Sequence, residues 1–246
     1  MAKKIPELHA WVGDTMLNPY DRYAFVGKTR SGKTTFAMAL AGWWARLLGP
    51  PWEVWWLDTK GDPDDIQSLR EWGFRNGSSL DDMRTTKLQN AKYFLLRPGQ
   101  ISVVDQAQWI IRQALERNGT TAKSYVIIVI DEYVQVVPST RSAGPALLDA
   151  FQRGGGLRVG VMGLTQEPVY VPRQLLSQAT HQVLFNLTMD YDIEYIRKID
   201  KLYVPPGELG DIHGFWWKWL DGPTKRPIYY ANGADWYDSF QIQAPR

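Results

Sequence analysis

Cysteine is absent from the 246 residues. That excludes a disulfide framework and any thiolate metal site, and it accords with a reducing compartment. Histidine is scarce: His9, His181 and His213 stand far apart without ligand spacing, so they read as surface or packing residues. No run of about 18 apolar residues occurs, so no membrane span is expected. The opening Met1-Ala2-Lys3-Lys4-Ile5-Pro6-Glu7 lacks an apolar signal core, and a cytoplasmic location is the corresponding expectation. An excess of one charge is missing too, with 28 Lys and Arg against 26 Asp and Glu, a net +2. Such a chain is no basic glove for nucleic acid. Any nucleic-acid contact must come from a local patch or from several subunits together. Internal repeats, low-complexity segments and a nucleophile-elbow serine are also lacking, which removes solenoids and serine hydrolases from consideration.

What is present is a globular composition, 44% hydrophobic and 22% charged, enough for one substantial core with a small appendage. Twelve tryptophans fit a generous core, a subunit interface or stacking surfaces, and the sequence does not choose among them. The organising stretch is Phe25-Val-Gly-Lys-Thr-Arg-Ser-Gly-Lys-Thr-Thr35. Gly27, Gly32, Lys33 and Thr34 follow the spacing G-x-x-x-x-G-K-[ST] of a phosphate-binding loop. Its glycines let backbone N–H groups approach an anion closely, and the helix that follows presents its positive end. Gly27, Lys28, Thr29, Arg30, Ser31, Gly32, Lys33, Thr34 and Thr35 are the expected nucleotide contacts. Lys33 would reach the β- and γ-phosphates of ATP, and the Thr34 hydroxyl would sit on Mg²⁺.

Around this loop the chain alternates strand and helix, which indicates a mostly parallel α/β sheet with helices on both faces. Residues 1–22 read as an irregular lead-in that could pack Trp11 on the body. Residues 23–200 read as the core and 201–246 as a Trp-rich extension. Strands are expected at Tyr23–Val26, Glu53–Leu57, Tyr93–Arg97, Tyr125–Ile130, Arg158–Thr165 and Gln182–Leu187. Helices are expected from Phe36 to Leu48, Asp65 to Phe74, Asp105 to Asn118 and Gly144 to Arg153, with residues 76–86 as loop. In the extension, Phe215–Leu220 and Pro227–Ala231 flank a Gly222-Pro223 turn and read as an antiparallel hairpin at the sheet edge.

The apolar run Tyr125–Ile130 ends in Asp131-Glu132. Asp131 is expected to hold the Mg²⁺ shell, usually through water, and Glu132 is expected as the base that accepts a proton from, or orients, the attacking water. Gln166 ends the next strand, where its amide could sense the γ-phosphate or place the water; the alternative is a turn residue leading into Pro168. Asp58 and Lys60 end the second strand and could border the site, contact a partner or form a surface ion pair. Arg153 is the preferred arginine finger, a role that the same or a neighbouring subunit can fill, with Arg141, Arg158 and Arg173 as competitors; the alternative is an ordinary helix-end arginine favoured by the dipole.

Four stretches together resemble the FtsK/HerA superfamily of DNA-pumping ATPases, most of all the genome-packaging ATPases of membrane-containing bacterial and archaeal viruses. They are Val26–Thr34, Leu57-Asp-Thr-Lys-Gly61, Val129-Ile-Asp-Glu132 and Gln152–Pro168, and the last has that family's arginine, small residues, strand and Thr-Gln-x-Pro order. The resemblance covers residues 23–188. It implies a RecA-like (ASCE) P-loop core, ATP and Mg²⁺ as cofactors, and a homo-oligomeric ring, hexamer or pentamer, around double-stranded DNA. It also implies Arg153 as the trans finger and Gln166 as the polar sensor. The implied activity is ATP-driven DNA translocation that packages a viral genome into a preformed capsid, with a capsid vertex protein as a further partner. The implied setting is the host cytoplasm or the virion. Alternatives are an ATPase of plasmid transfer or filamentous-phage assembly and, in another class, a nucleotide-dependent switch. Arg30 departs from the small residue usual at its position, no winged-helix DNA-reading domain is recognisable, and the Trp-rich tail matches nothing in the family. Lys123 and the Gly154 region are candidate DNA-gripping loops.

Overall fold

The computed structural model describes residues 20–48, 52–77, 91–120, 125–199, 201, 203, 205, 215–219 and 225–228. Trp11, Lys123, His9, His213 and the Gly222-Pro223 turn lie outside the described residues.

Nine strands form one sheet. They are β1 (Arg22–Val26), β2 (Trp52–Asp58), β3 (Arg75–Asn76), β4 (Ala91–Leu95), β5 (Tyr125–Ile130), β6 (Val159–Thr165), β7 (His181–Phe185), β8 (Phe215–Trp219) and β9 (Lys225–Ile228). Their spatial order is β3-β4-β2-β5-β6-β1-β7-β8-β9. The first seven in that order pair in parallel. The hairpin β8–β9 joins antiparallel on β7, with Val183 opposite Trp217. The sheet-edge hairpin expected from the tail is therefore present, and it continues the core sheet.

Among the described residues, seven helical segments connect the strands: α1 (Lys33–Leu48), α2 (Pro63–Glu71), α3 (Val103–Thr120), α4 (Tyr133–Val136), α5 (Pro145–Arg153), α6 (Arg173–Ser177) and α7 (Asp190–Ile199), with a 3₁₀ turn at Pro168–Tyr170. The parallel strands are apolar on both sides because both sides are covered. On β1, Tyr23 and Phe25 join one core with Phe36, Leu40 and Trp44 of α1 and Leu69 of α2. Ala24 and Val26 join the other core, with Ile111 of α3, Phe151 of α5 and Leu175 of α6.

Several boundaries differ from the sequence reading. The third strand runs over 91–95 rather than 93–97, because Ala91 and Lys92 complete the register against Val54 and Trp55. Asn76, expected to open the loop, instead forms with Arg75 a two-residue edge strand on β4. Helix α7 had no counterpart in the reading. Its inward stripe of Ile193, Ile196 and the partly buried Tyr195 and Ile199 is interrupted by the buried Asp192 and set among charged residues, which hides its period. His181 is a packing residue: fully buried, 2.8 Å from Asp21 and stacked on Tyr23.

Candidate active site

Strands β2, β5, β6 and β1 are neighbours and run parallel, so their carboxyl ends share one edge of the sheet. Ligands in open α/β sheets bind at that edge. The loop after β1 rests on its neighbours' ends: Gly27 N donates to Thr165 O and Lys28 N to Asn186 O, both at 3.1 Å. A Cβ on Gly27 would stand 2.5 Å from Phe185 Cβ, so the first glycine of the motif is required by close packing on β7. Gly32 takes φ 87° before α1 begins, and Phe36 N donates to Gly32 O at 2.9 Å. Arg30 adopts φ 61°, a left-handed conformation that costs a non-glycine residue about 1 kcal/mol or more. Arg30, Thr29 and Thr35 are exposed, Lys28, Gly32 and Thr34 are half-buried, and Ser31 and Lys33 are buried.

Burial, reinforced by the positive charge of Lys60, lowers the Lys33 ammonium from its usual range to about 8. Asp131 and Glu132 are buried at the end of β5, 2% and 7% exposed. Burial raises both carboxyl groups, against the pull of Lys60 on Asp131 and of Lys33 on Glu132. A carboxylate raised toward neutral pH is a stronger base for water.

Gln166 follows β6, the strand inserted between β1 and β5. Its backbone N donates to Glu132 Oε1 at 3.3 Å, while its side-chain Oε1 accepts from the Thr29 hydroxyl. The residue thereby links the phosphate loop to the acid pair. Thr165, fully buried, hydrogen-bonds Glu132 as well. The sequence reading passed over Thr165, and no spacing rule would have found it, because its proximity to Glu132 depends on β6 lying beside β5. Lys60 was left open in the sequence. Here its Nζ lies 3.0 Å from Asp131 Oδ1, so it borders the site. Asp58 Oδ1 accepts from Lys60 N and Gly61 N at 2.9 and 2.7 Å, shaping the turn that carries it.

Arg153 is not brought to this cluster. It ends α5, ahead of β6, whereas Gln166 follows the strand's other end; seven residues of strand separate the two by ~20 Å. Its side chain is 64% exposed and pairs with Asp149 at 2.7 Å. Arg158, a competitor for the same role, lies over the Tyr125 ring at 4.9 Å with φ 59°.

Thr34 and Asp131 offer hard oxygen donors of the kind Mg²⁺ takes, one carboxylate and one hydroxyl, leaving the rest of the shell to phosphate and water. Among the described residues no group of three or more His, Cys, Asp or Glu could hold a metal by itself. Also among the described residues, no helix is long and apolar enough to cross a membrane.

No protein-family model and no curated protein matches the chain. Solved structures do. The genome packaging NTPase B204 from Sulfolobus turreted icosahedral virus 2, in complex with AMP, superposes with a TM-score of 0.67 at 16% identity, covering 88% of this chain and 100% of that one. B204, the DNA-packaging ATPase from Sulfolobus turreted icosahedral virus, gives 0.61 at 15%, over 88% and 100%. VirB4 of Thermoanaerobacter pseudethanolicus gives 0.58 at 10%, over 86% and 89%. At such identities the likeness is one of fold, and the chain has the α/β fold of these RecA-like P-loop ATPases.

Proposed function

We propose that the chain is an ATP hydrolase that works as a ring motor on double-stranded DNA, packaging a viral genome into a preformed capsid. The observation that carries this reading is the insertion of β6 between β1 and β5. It sets Gln166 between the phosphate loop and Asp131-Glu132, while Arg153 stands exposed toward the opposite end of the same strand. The likeness to B204, a genome packaging NTPase solved with AMP, AMPPCP and ATPγS, supports the same substrate and task.

In this reading the loop amides and Lys33 hold the phosphates, and Glu132, oriented by Thr165 and the Gln166 amide, takes the proton of the attacking water. Thr34 and Asp131 would hold Mg²⁺, which would supply charge neutralisation for the bound nucleotide. Arg153 cannot reach the cluster of its own chain and serves the site of the next subunit in a hexameric or pentameric ring. That arrangement couples hydrolysis around the ring, and DNA is gripped through its phosphates without base reading. A capsid vertex protein completes the assembly, in the host cytoplasm or on the virion.

The test is steady-state ATPase activity of the purified protein with and without duplex DNA. Turnover stimulated by DNA is expected, with a loss of about 10²–10⁴-fold in Glu132→Gln. Wild type no more active than Glu132→Gln would defeat the motor reading.

A further inference from the structure

Lys60 leaves the end of β2 and reaches the end of β5. Its pairing with Asp131 is unevenly sheltered: the aspartate side chain is 3% exposed and the lysine side chain 29%. A carboxylate sealed to that degree needs a counter-charge. An ammonium on a flexible four-carbon stem with access to solvent can change partners.

The backbone beneath Lys60 is anchored. Asp58 holds the N–H groups of Lys60 and Gly61, and Arg97, just past β4, donates to Lys60 O at 3.1 Å. Gly61 takes φ 63°, and a Cβ there would stand 1.8 Å from an Arg97 nitrogen. The turn is thus fixed and the side chain is its movable part. Lys60 also acts electrostatically on Lys33 and Glu132, so its charge is felt in both halves of the site. Two buried oxygens of the same turn, Asp58 Oδ2 and Thr59 Oγ1, have no hydrogen-bond partner among the described residues.

An ammonium and Mg²⁺ cannot both occupy the same carboxylate oxygen, because two cations repel and the metal demands a much shorter contact. We propose that Lys60 discriminates ATP from ADP: its ammonium neutralises Asp131 until Mg²⁺ arrives with the nucleotide, then passes to the terminal phosphate. The inference rests on the ATP-site reading above.

Isothermal titration calorimetry with Mg·ATPγS and Mg·ADP on wild type, Lys60→Gln, Lys60→Met and Lys60→Arg tests it. Both neutral variants should lose about tenfold or more in ATPγS affinity, the value of one charge-assisted hydrogen bond. Their ADP affinity should stay within about twofold of wild type or tighten, since the metal no longer displaces a cation. Retained ADP binding also shows that the variants are folded, and Lys60→Arg should recover most of the loss. Equal weakening for both nucleotides in variants with wild-type circular dichroism, or no weakening for either, would overturn the proposal while the ATP site stands. Wild type binding neither nucleotide would overturn the ATP-site reading and this inference together.

Discussion

Gly163 lies in β6, where it pairs with Ala24 of β1 and Ile130 of β5. A Cβ there would stand 1.7 Å from Tyr133 Cζ and 2.1 Å from Cε1 and Cε2. Carbon atoms rest about 3.5–4.0 Å apart, so in Gly163→Ala the ring must retreat by ~2 Å. It has nowhere to go, being wholly buried with Phe151 of α5 at 6.2 Å between centroids. Overpacking of this kind costs typically 1–3 kcal/mol, and the rigid surroundings put it at the upper end, about 3. For a chain of this length that lowers Tm by about 6–12 °C. The strain also reaches the site, because Glu132 immediately precedes Tyr133, and turnover should fall with stability. Urea unfolding followed by tryptophan fluorescence measures the first effect and ATPase assay the second. Shortening the opposing side chain should relieve the clash, so Gly163→Ala/Tyr133→Leu should be more stable than the sum of the single changes, by about 1 kcal/mol or more. Gly163→Ala within about 0.5 kcal/mol of wild type, or strict additivity in the cycle, would refute the reasoning.

Three further expectations concern charge and assembly. Burial holds the Lys33 ammonium at about 8 against 10.5, so Lys33 weakens the fold fully below pH 8 by ~3 kcal/mol, and the penalty fades as pH rises toward 10.5. Lys33→Met should therefore raise Tm at pH 7 while abolishing nucleotide binding, and its advantage should shrink between pH 8 and 10.5. Asp65, in the first turn of α2, is raised to about 6 by burial and by the charge of Asp131. Its ionised form is disfavoured in the fold, so stability falls as pH rises from about 4 to 6; Asp65→Asn should gain in melting temperature at pH 7.5 and show no gain near pH 4. Arg153→Ala and Glu132→Gln should each be inactive alone. Their mixture should recover part of the ATPase rate, because an intact Glu132 then meets an intact Arg153 between subunits; absence of recovery in mixed rings would count against the trans role.

The strand–loop–helix unit around Gly27, Gly32, Lys33 and Thr34 was legible because its signal is local: the spacing marks a turn between an apolar strand and a helix. The same holds for Asp131-Glu132, which end the most apolar run of the chain. The two faces of the sheet were also readable, since strands covered on both sides cannot alternate polar and apolar residues. The hairpin of the tail could be read from its turn and aromatic strands, although the β7 edge it joins could not.

The remainder depends on which strand lies beside which. Nothing in the local pattern of Val159–Thr165 says that it enters between β1 and β5. That choice comes from long-range packing and the crossover connections, and it alone lets Gln166 touch both Thr29 and Glu132. The Lys60–Asp131 ion pair joins residues 71 apart in sequence and exists because β2 flanks β5. Gly163 reads as one more small residue until the Tyr133 ring is seen to fill its missing side chain. Arg153 carries no positional meaning by itself, and the direction of β6 separates it from the cluster that Gln166 joins. The sequence by itself determined the spacing of the glycine-rich loop and the alternation of elements, because both are written in near neighbours. The tertiary structure decided how Glu132, Gln166, Lys60 and Gly163 meet their partners, because those contacts are set by strand order and by packing across the sheet.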